Sequence, residues 1–218
     1  MDIEKLIADI LTPGTQAFIT TAALLFTVLL LIIAVIASNV CLTKAHGTTE
    51  KLVFIWLFWD MLVHFIMEGS FVYFSLTSTV LKSSGPLAAI WKDYARADAR
   101  WGVSEPNIVS MELFTVLFCG NMCWVVMYGQ AHNKVWRHYA QLVLCVCELY
   151  GGWMTFGPEW IIGSPNLCCL DDPMKLWVFL TFFNGLWVII PLLLMYQSYL
   201  VIVDNAKQAQ KTKSGKKH

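Results

Sequence analysis

The chain has 218 residues, enough for one domain, and its composition is more informative than its length. Apolar residues make up 57% and charged residues 14%, against roughly 45–50% and roughly 25% in soluble domains. With 15 basic and 15 acidic residues the formal net charge is zero, which speaks against nucleic-acid binding and against a charge-rich disordered chain. An odd count of seven cysteines argues against a disulfide-stapled secreted fold. The composition is that of a membrane protein, so the position of each charge carries information.

Phe18 to Leu42 is an apolar run without a charge, longer than the roughly 20 residues a helix needs to cross the hydrocarbon core. Its length and the acidic segment before it (Asp2, Glu4, Asp9) do not fit a cleaved signal peptide. Further spans are expected over about Leu52–Leu81, Ile108–Gln130, His138–Ile162 and Leu176–Val203, making an all-α bundle of five transmembrane helices. Nine of the 15 basic residues fall on one side: Lys44, Lys51, Lys134, Arg137, Lys207, Lys211, Lys213, Lys216 and Lys217. By the positive-inside rule that side is cytoplasmic. The expected organisation is a lumenal N-terminal segment (1–17), a membrane domain (18–203) and a basic cytoplasmic tail (204–218), disordered from Ala206 onward. The cysteines, including the adjacent Cys168 and Cys169, read as structural, and no metal-ligand spacing is present.

Several charges lie inside the expected spans. Asp60, His64 and Glu68 recur every four residues and climb one helix face. Asp60, near the end of its span, is as readily a water-facing residue as a site residue. Glu112 and Thr115, three apart in the third span, can meet Glu68 at similar depth. An intramembrane acid costs roughly 2.5–3.5 kcal/mol on insertion scales. Two carboxylates close together in a low dielectric favour one neutral acid and one anionic base, the arrangement that proton transfer needs. In the fifth span Asn184 and Trp187 share a face below Pro191, and an indole face stabilises cations. Glu148 reads as a helix–helix hydrogen-bonding residue or a cavity residue. The loop IWKDYARADARW reads as a lid on the membrane surface, with Trp91, Tyr94 and Trp101 at the interface and Lys92, Arg96 and Arg100 towards headgroups. A transporter is disfavoured by the lack of internal repeats and by the odd number of spans.

The stretches HFIMEGSFVY, WKDYARADARW, VSMELFTV, CELYGGW and FFNGLWVIIP, in this order and spacing, resemble the emopamil-binding protein family, whose members share the EXPERA membrane domain. The resemblance runs from about Leu52 to Gln197 and is closest to the emopamil-binding-protein-like branch. It implies an endoplasmic reticulum protein with a sterol-sized cavity inside the membrane. It also implies a delta-8 to delta-7 sterol isomerase that protonates the 8,9 double bond, passes through a C8 carbocation and removes a neighbouring proton. No cofactor or metal is implied; a sterol or a cationic amphiphile is the expected ligand and the lipid bilayer the expected surroundings, with a homodimer left open. By matching position, His64, Glu68 and Glu112 would be catalytic. Thr115, Asn184, Trp187, Tyr94, Asp98 and Arg100 would be substrate-binding. The chain departs from sterol isomerases at Ser70, where they carry tryptophan, at Ala97-Asp98-Ala99-Arg100-Trp101, where they read Gly-Asp-Ser-Arg-Tyr, and at Glu148, where they carry glutamine. The alternative function is a non-catalytic membrane protein that binds sterols or cationic amphiphiles, or acts through a related partner.

Overall fold

The computed structural model describes residues 13–43, 45–167 and 172–215. Lys44, Cys168, Cys169, Lys216, Lys217 and the acidic residues before the first span lie outside the described residues. Among the described residues there is no strand, only an isolated bridge between Asp98 and Leu167.

Helix α1 (Pro13–Cys41) is apolar around its whole circumference. Its buried side chains are Leu30, Ala34 and Ser38, a single stripe four residues apart that packs on α2. Helix α2 (Thr48–Leu62) runs through a wide π turn (Val63–Glu68) into α3 (Gly69–Thr77). The short α4 (Pro86–Tyr94) and α5 (Ala99–Val103) fold back over one end of the bundle. Helix α6 (Pro106–Phe114) passes through a second π turn (Thr115–Cys119) into α7 (Gly120–Ala131). Helix α8 (Arg137–Ile161) packs on α7 and α9, and a third π segment (Met174–Phe183) leads into α9 (Asn184–Gly215).

Among the described residues, four helical stretches are long and apolar enough to cross a membrane: Gly14–Cys41, Thr48–Thr77, Pro106–Ala131 and Met174–Thr212. The remaining expected span coincides with α8, whose 25 residues have the length but not the composition. Its polar residues Arg137, His138, Gln141, Glu148 and Glu159 are all buried. They face the other helices rather than lipid.

Two expectations are corrected. The tail does not lose its structure at Ala206, because α9 continues to Gly215. Elongating an existing helix avoids the nucleation cost, and the Ala, Lys and Gln residues there are good helix formers. The loop aromatics do not form an interfacial belt either. Trp91 and Trp101 are buried and stacked, ring centroids 5.0 Å apart at 3°, and Phe71 packs against both. Asp93, Asp98 and Arg100 of the lid are turned inward as well. Asp93 is buried and takes Lys175 Nζ at 2.6 Å and the Thr20 hydroxyl at 2.5 Å, tying α4 to the third π segment and to α1. At the far end of the bundle Arg137 donates to both carboxylate oxygens of Glu50 at 2.6 Å, and Gln130 joins the same carboxylate.

Candidate active site

Among the described residues, all three π segments hold or adjoin residues singled out for chemistry. The first contains His64 and Glu68, the second begins at Thr115, and the third ends just before Asn184. A π turn widens the helix and re-aims its side chains, and such turns recur at functional sites. Just past the third π segment, the Asn184 side-chain Nδ2–H donates at 2.9 Å to the carbonyl of Phe179, five residues back.

These turns bring a chain of polar groups together. His64 Nδ1 lies 2.6 Å from Glu68 Oε2, and His64 Nε2 lies 3.3 Å from Asp60 Oδ1. The Thr115 hydroxyl is 2.5 Å from Glu68 Oε2 and 3.3 Å from Glu112 Oε2. A hydroxyl has a single proton to donate, so it serves one carboxylate at a time and sits between the two. On the other side of His64, the Trp187 indole N–H donates to Asp60 Oδ1 at 2.8 Å and the Cys123 thiol contacts Asp60 Oδ2 at 3.2 Å. Trp187 is wedged against Trp56 and Trp59, with ring centroids 5.6 and 5.4 Å away. Asn184 also donates to the Tyr94 hydroxyl at 3.2 Å. Burial in the lid pushes the Tyr94 phenol well above its ordinary range.

A cavity of about 190 Å³ opens onto these groups. Its walls are mostly apolar, with contributions from α1 (Ala23, Leu24), the lid and the third π segment, and its polar end carries His64, Glu68, Glu112 and Thr115. Tyr94, Asn184 and Trp187 line it too, so seven of the nine expected site residues share one cavity. Asp98 and Arg100 do not line it. They form a buried pair, with Arg100 Nε and Nη2 at 2.9 and 2.6 Å from the Asp98 carboxylate, and Arg100 Nη2 also bonds the Thr155 carbonyl at 2.7 Å. Burial works to lower the Arg100 guanidinium, but the hydrogen bonds and charge of Asp98 outweigh it and hold the group above its ordinary value. This pair fastens the start of α5 to α8.

Sequence reasoning left two residues undecided. Asp60 is 0% exposed and does not face water; its four-residue spacing from His64 was the available signal. Glu148 is buried and lines the cavity, and its carboxyl on α8 meets that of Asp60 on α2, so it is a cavity residue and a link between two helices at once.

The geometry defines a class: a helical membrane protein whose bundle encloses an apolar cavity with an acid–imidazole–acid array at one end. The family model EBP: EXPERA (EXPanded EBP superfamily) matches residues 86–198, just over half of the chain, and the chain belongs to that family. Relatives include the probable 3-beta-hydroxysteroid-Delta(8),Delta(7)-isomerase of Oryza sativa subsp. japonica, 27% identical over 202 residues, covering 92% of this chain and 89% of the relative. The 3-beta-hydroxysteroid-Delta(8),Delta(7)-isomerase of Rattus norvegicus is 28% identical, covering 78% of this chain and 73% of its own. Isomeliandiol synthase MOI2 of Melia azedarach is 26% identical, covering 70% of each chain.

Proposed function

We propose that this chain is an endoplasmic reticulum isomerase that moves a sterol double bond from delta-8 to delta-7. The observation that carries the reading is the Thr115 hydroxyl set between Glu68 and Glu112 at the polar end of an apolar cavity. The names of the Oryza and Rattus relatives support the substrate class.

In this reading the flat, apolar ring system lies along the α1 and lid walls with its alkene at the acids. A proton from the His64–Glu68 pair adds to C9 and leaves a cation at C8. Glu112 and the Trp187 ring stabilise the charge, and an anionic carboxylate takes a proton from C7 to complete the 7,8 double bond. One proton enters and one leaves, so neither an oxidant nor a reductant is consumed. Low dielectric strengthens the attraction between the cation and the carboxylate, which makes a membrane interior a suitable place for a carbocation. Asp98 and Arg100 act on substrate only through the lid they secure. The cavity's 190 Å³ is below the roughly 300–1,000 Å³ of small-molecule pockets, so sterol entry displaces the lightly packed α1. The proposed topology has five spans including α8, with the N-terminus lumenal and the C-terminus cytoplasmic.

The test is expression in cells that lack sterol delta-8/delta-7 isomerase, with sterols read by mass spectrometry. Delta-7 product supports the reading. Folded protein that converts none of several delta-8 sterols overturns it and leaves the non-catalytic alternative, which predicts saturable amine binding without conversion.

A further inference from the structure

Behind the catalytic array lies a second cluster. Asp60 and His64 from α2 and its π turn, Cys123 from α7 and Glu148 from α8 each present one donor atom, and the four atoms lie within 4.8 Å of one another. All four residues are buried, Glu148 to 4% exposure and His64 to 1%. The polar atoms of the cluster are sparsely engaged. Neither Glu148 oxygen accepts a hydrogen bond from a donor group and its carboxyl faces that of Asp60, while His64 Nε2 is only loosely placed, 3.3 Å from Asp60 Oδ1. Acids crowded together away from water are costly unless a proton or a cation joins them.

Among the described residues, no lysine or arginine is within ion-pair distance of Asp60, Glu68, Glu112 or Glu148, and His64 is the one basic side chain set among them.

We propose that Asp60, His64, Cys123 and Glu148 form an intramembrane site for a divalent transition metal of the zinc type. The donor set (imidazole nitrogen, thiolate and two carboxylates) is one that zinc accepts and that calcium and magnesium, which seek oxygen, do not. A tetrahedral zinc site needs donor atoms about 3.3–3.7 Å apart, given metal–ligand bonds of about 2.0–2.3 Å. Closing the cluster therefore takes shifts of about an ångström or less. The groups around it are already arranged for the purpose. His64 Nδ1 is occupied by Glu68 at 2.6 Å, which leaves Nε2 to the metal, the carboxylate–histidine–metal relation found at zinc centres. Trp187 holds Asp60 Oδ1 at 2.8 Å in the same way. Binding releases the Cys123 thiol proton to solvent. The site does not rest on the isomerase reading, but it shares His64 with it: with metal on Nε2, His64 is fixed as a neutral donor to Glu68 and cannot relay a proton.

The test uses the full chain purified in detergent from zinc-supplemented cells. The expected result is one zinc per chain by elemental mass spectrometry. After chelator treatment, one equivalent of Co2+ should restore a near-ultraviolet thiolate-to-cobalt band together with tetrahedral visible bands. Cys123→Ser should abolish the near-ultraviolet band, and Glu148→Gln should weaken Co2+ binding at least about tenfold. Monodisperse elution and helical circular dichroism confirm folding. If Glu148→Gln fails to fold, Cys123→Ser, a single-atom exchange, decides the matter. Substoichiometric zinc, or a cobalt spectrum unchanged in Cys123→Ser, overturns the proposal.

Discussion

The indole N–H of Trp187 donates to Asp60 Oδ1 at 2.8 Å, joining α9 to α2 across the centre of the bundle. It orients an acid that is 0% exposed and holds the Trp187 ring at the cavity wall. One hydrogen bond thus sets the position of a buried charge and of an aromatic surface at the site.

Trp187→Phe keeps an aromatic ring and removes that bond. It leaves a buried carboxylate oxygen without its donor, at a cost of about 1–3 kcal/mol. The expected result is a lower unfolding temperature in detergent, with saturable binding of a cationic amphiphile weakened but still present.

Glu68→Gln and Glu112→Gln are isosteric and remove one carboxylate each from the Thr115 hydroxyl. Sterol conversion is expected to fall by at least about 10²-fold in either variant, the scale of general acid–base catalysis, while helical circular dichroism is unchanged. Thr115→Val should impair conversion less, because it removes the link between the acids and neither acid itself.

Asp93 and Lys175 form a buried pair at 2.6 Å, with side-chain exposures of 1% and 2%. The Lys175 ammonium also lies over the Phe179 ring, 4.2 Å from its centroid. Asp93→Asn strands the buried Lys175 ammonium and should destabilise by about 3–5 kcal/mol, whereas Lys175→Met should cost less, because Arg96 Nη1 stays 3.4 Å from Asp93 Oδ1. The double variant should recover part of that loss, and a thermal-unfolding cycle of the four proteins measures the coupling.

Gly120 lies against the first π turn. A Cβ there would sit 2.8 Å from Phe65 Cε1 and 3.3 Å from His64 Cβ. Gly120→Ala must turn the half-exposed Phe65 ring aside and shift His64 by a few tenths of an ångström, and is expected to cost about 1 kcal/mol. Because the shifted residue is His64, turnover in the proposed reaction should fall more than stability does, as judged by turnover measured beside unfolding temperature.

The sequence was most readable where a property is local. Charge-free apolar runs marked the span-length helices α1 and α9, and the four-residue spacing placed His64 and Glu68 together. Meeting across helices was only partly accessible: Glu112 could be set at the depth of Glu68, but the hydroxyl between them depends on two π turns that no propensity announces. Asp60 was ambiguous because its position in the span says nothing about what the neighbouring helices place opposite it. The lid was misread for a related reason. Trp91, Lys92 and Trp101 have the composition of a membrane interface, and only the fold reveals that Asp93, Asp98, Arg100 and Lys175 are paired inside it. Helix α8 shows the converse, since its polar residues lower its apparent span character because they serve the interior.

Helix α1 lines the cavity through Ala23, Leu24 and Thr27 while most of its surface faces outward. A single helix thickness therefore separates the cavity from the surrounding lipid. A ligand that passes this partition goes from hydrocarbon to hydrocarbon without shedding or regaining a water shell. The quantity that governs occupancy is then its mole fraction in the bilayer, so dilution with inert lipid should slow turnover even when the aqueous concentrations of protein and ligand are held constant.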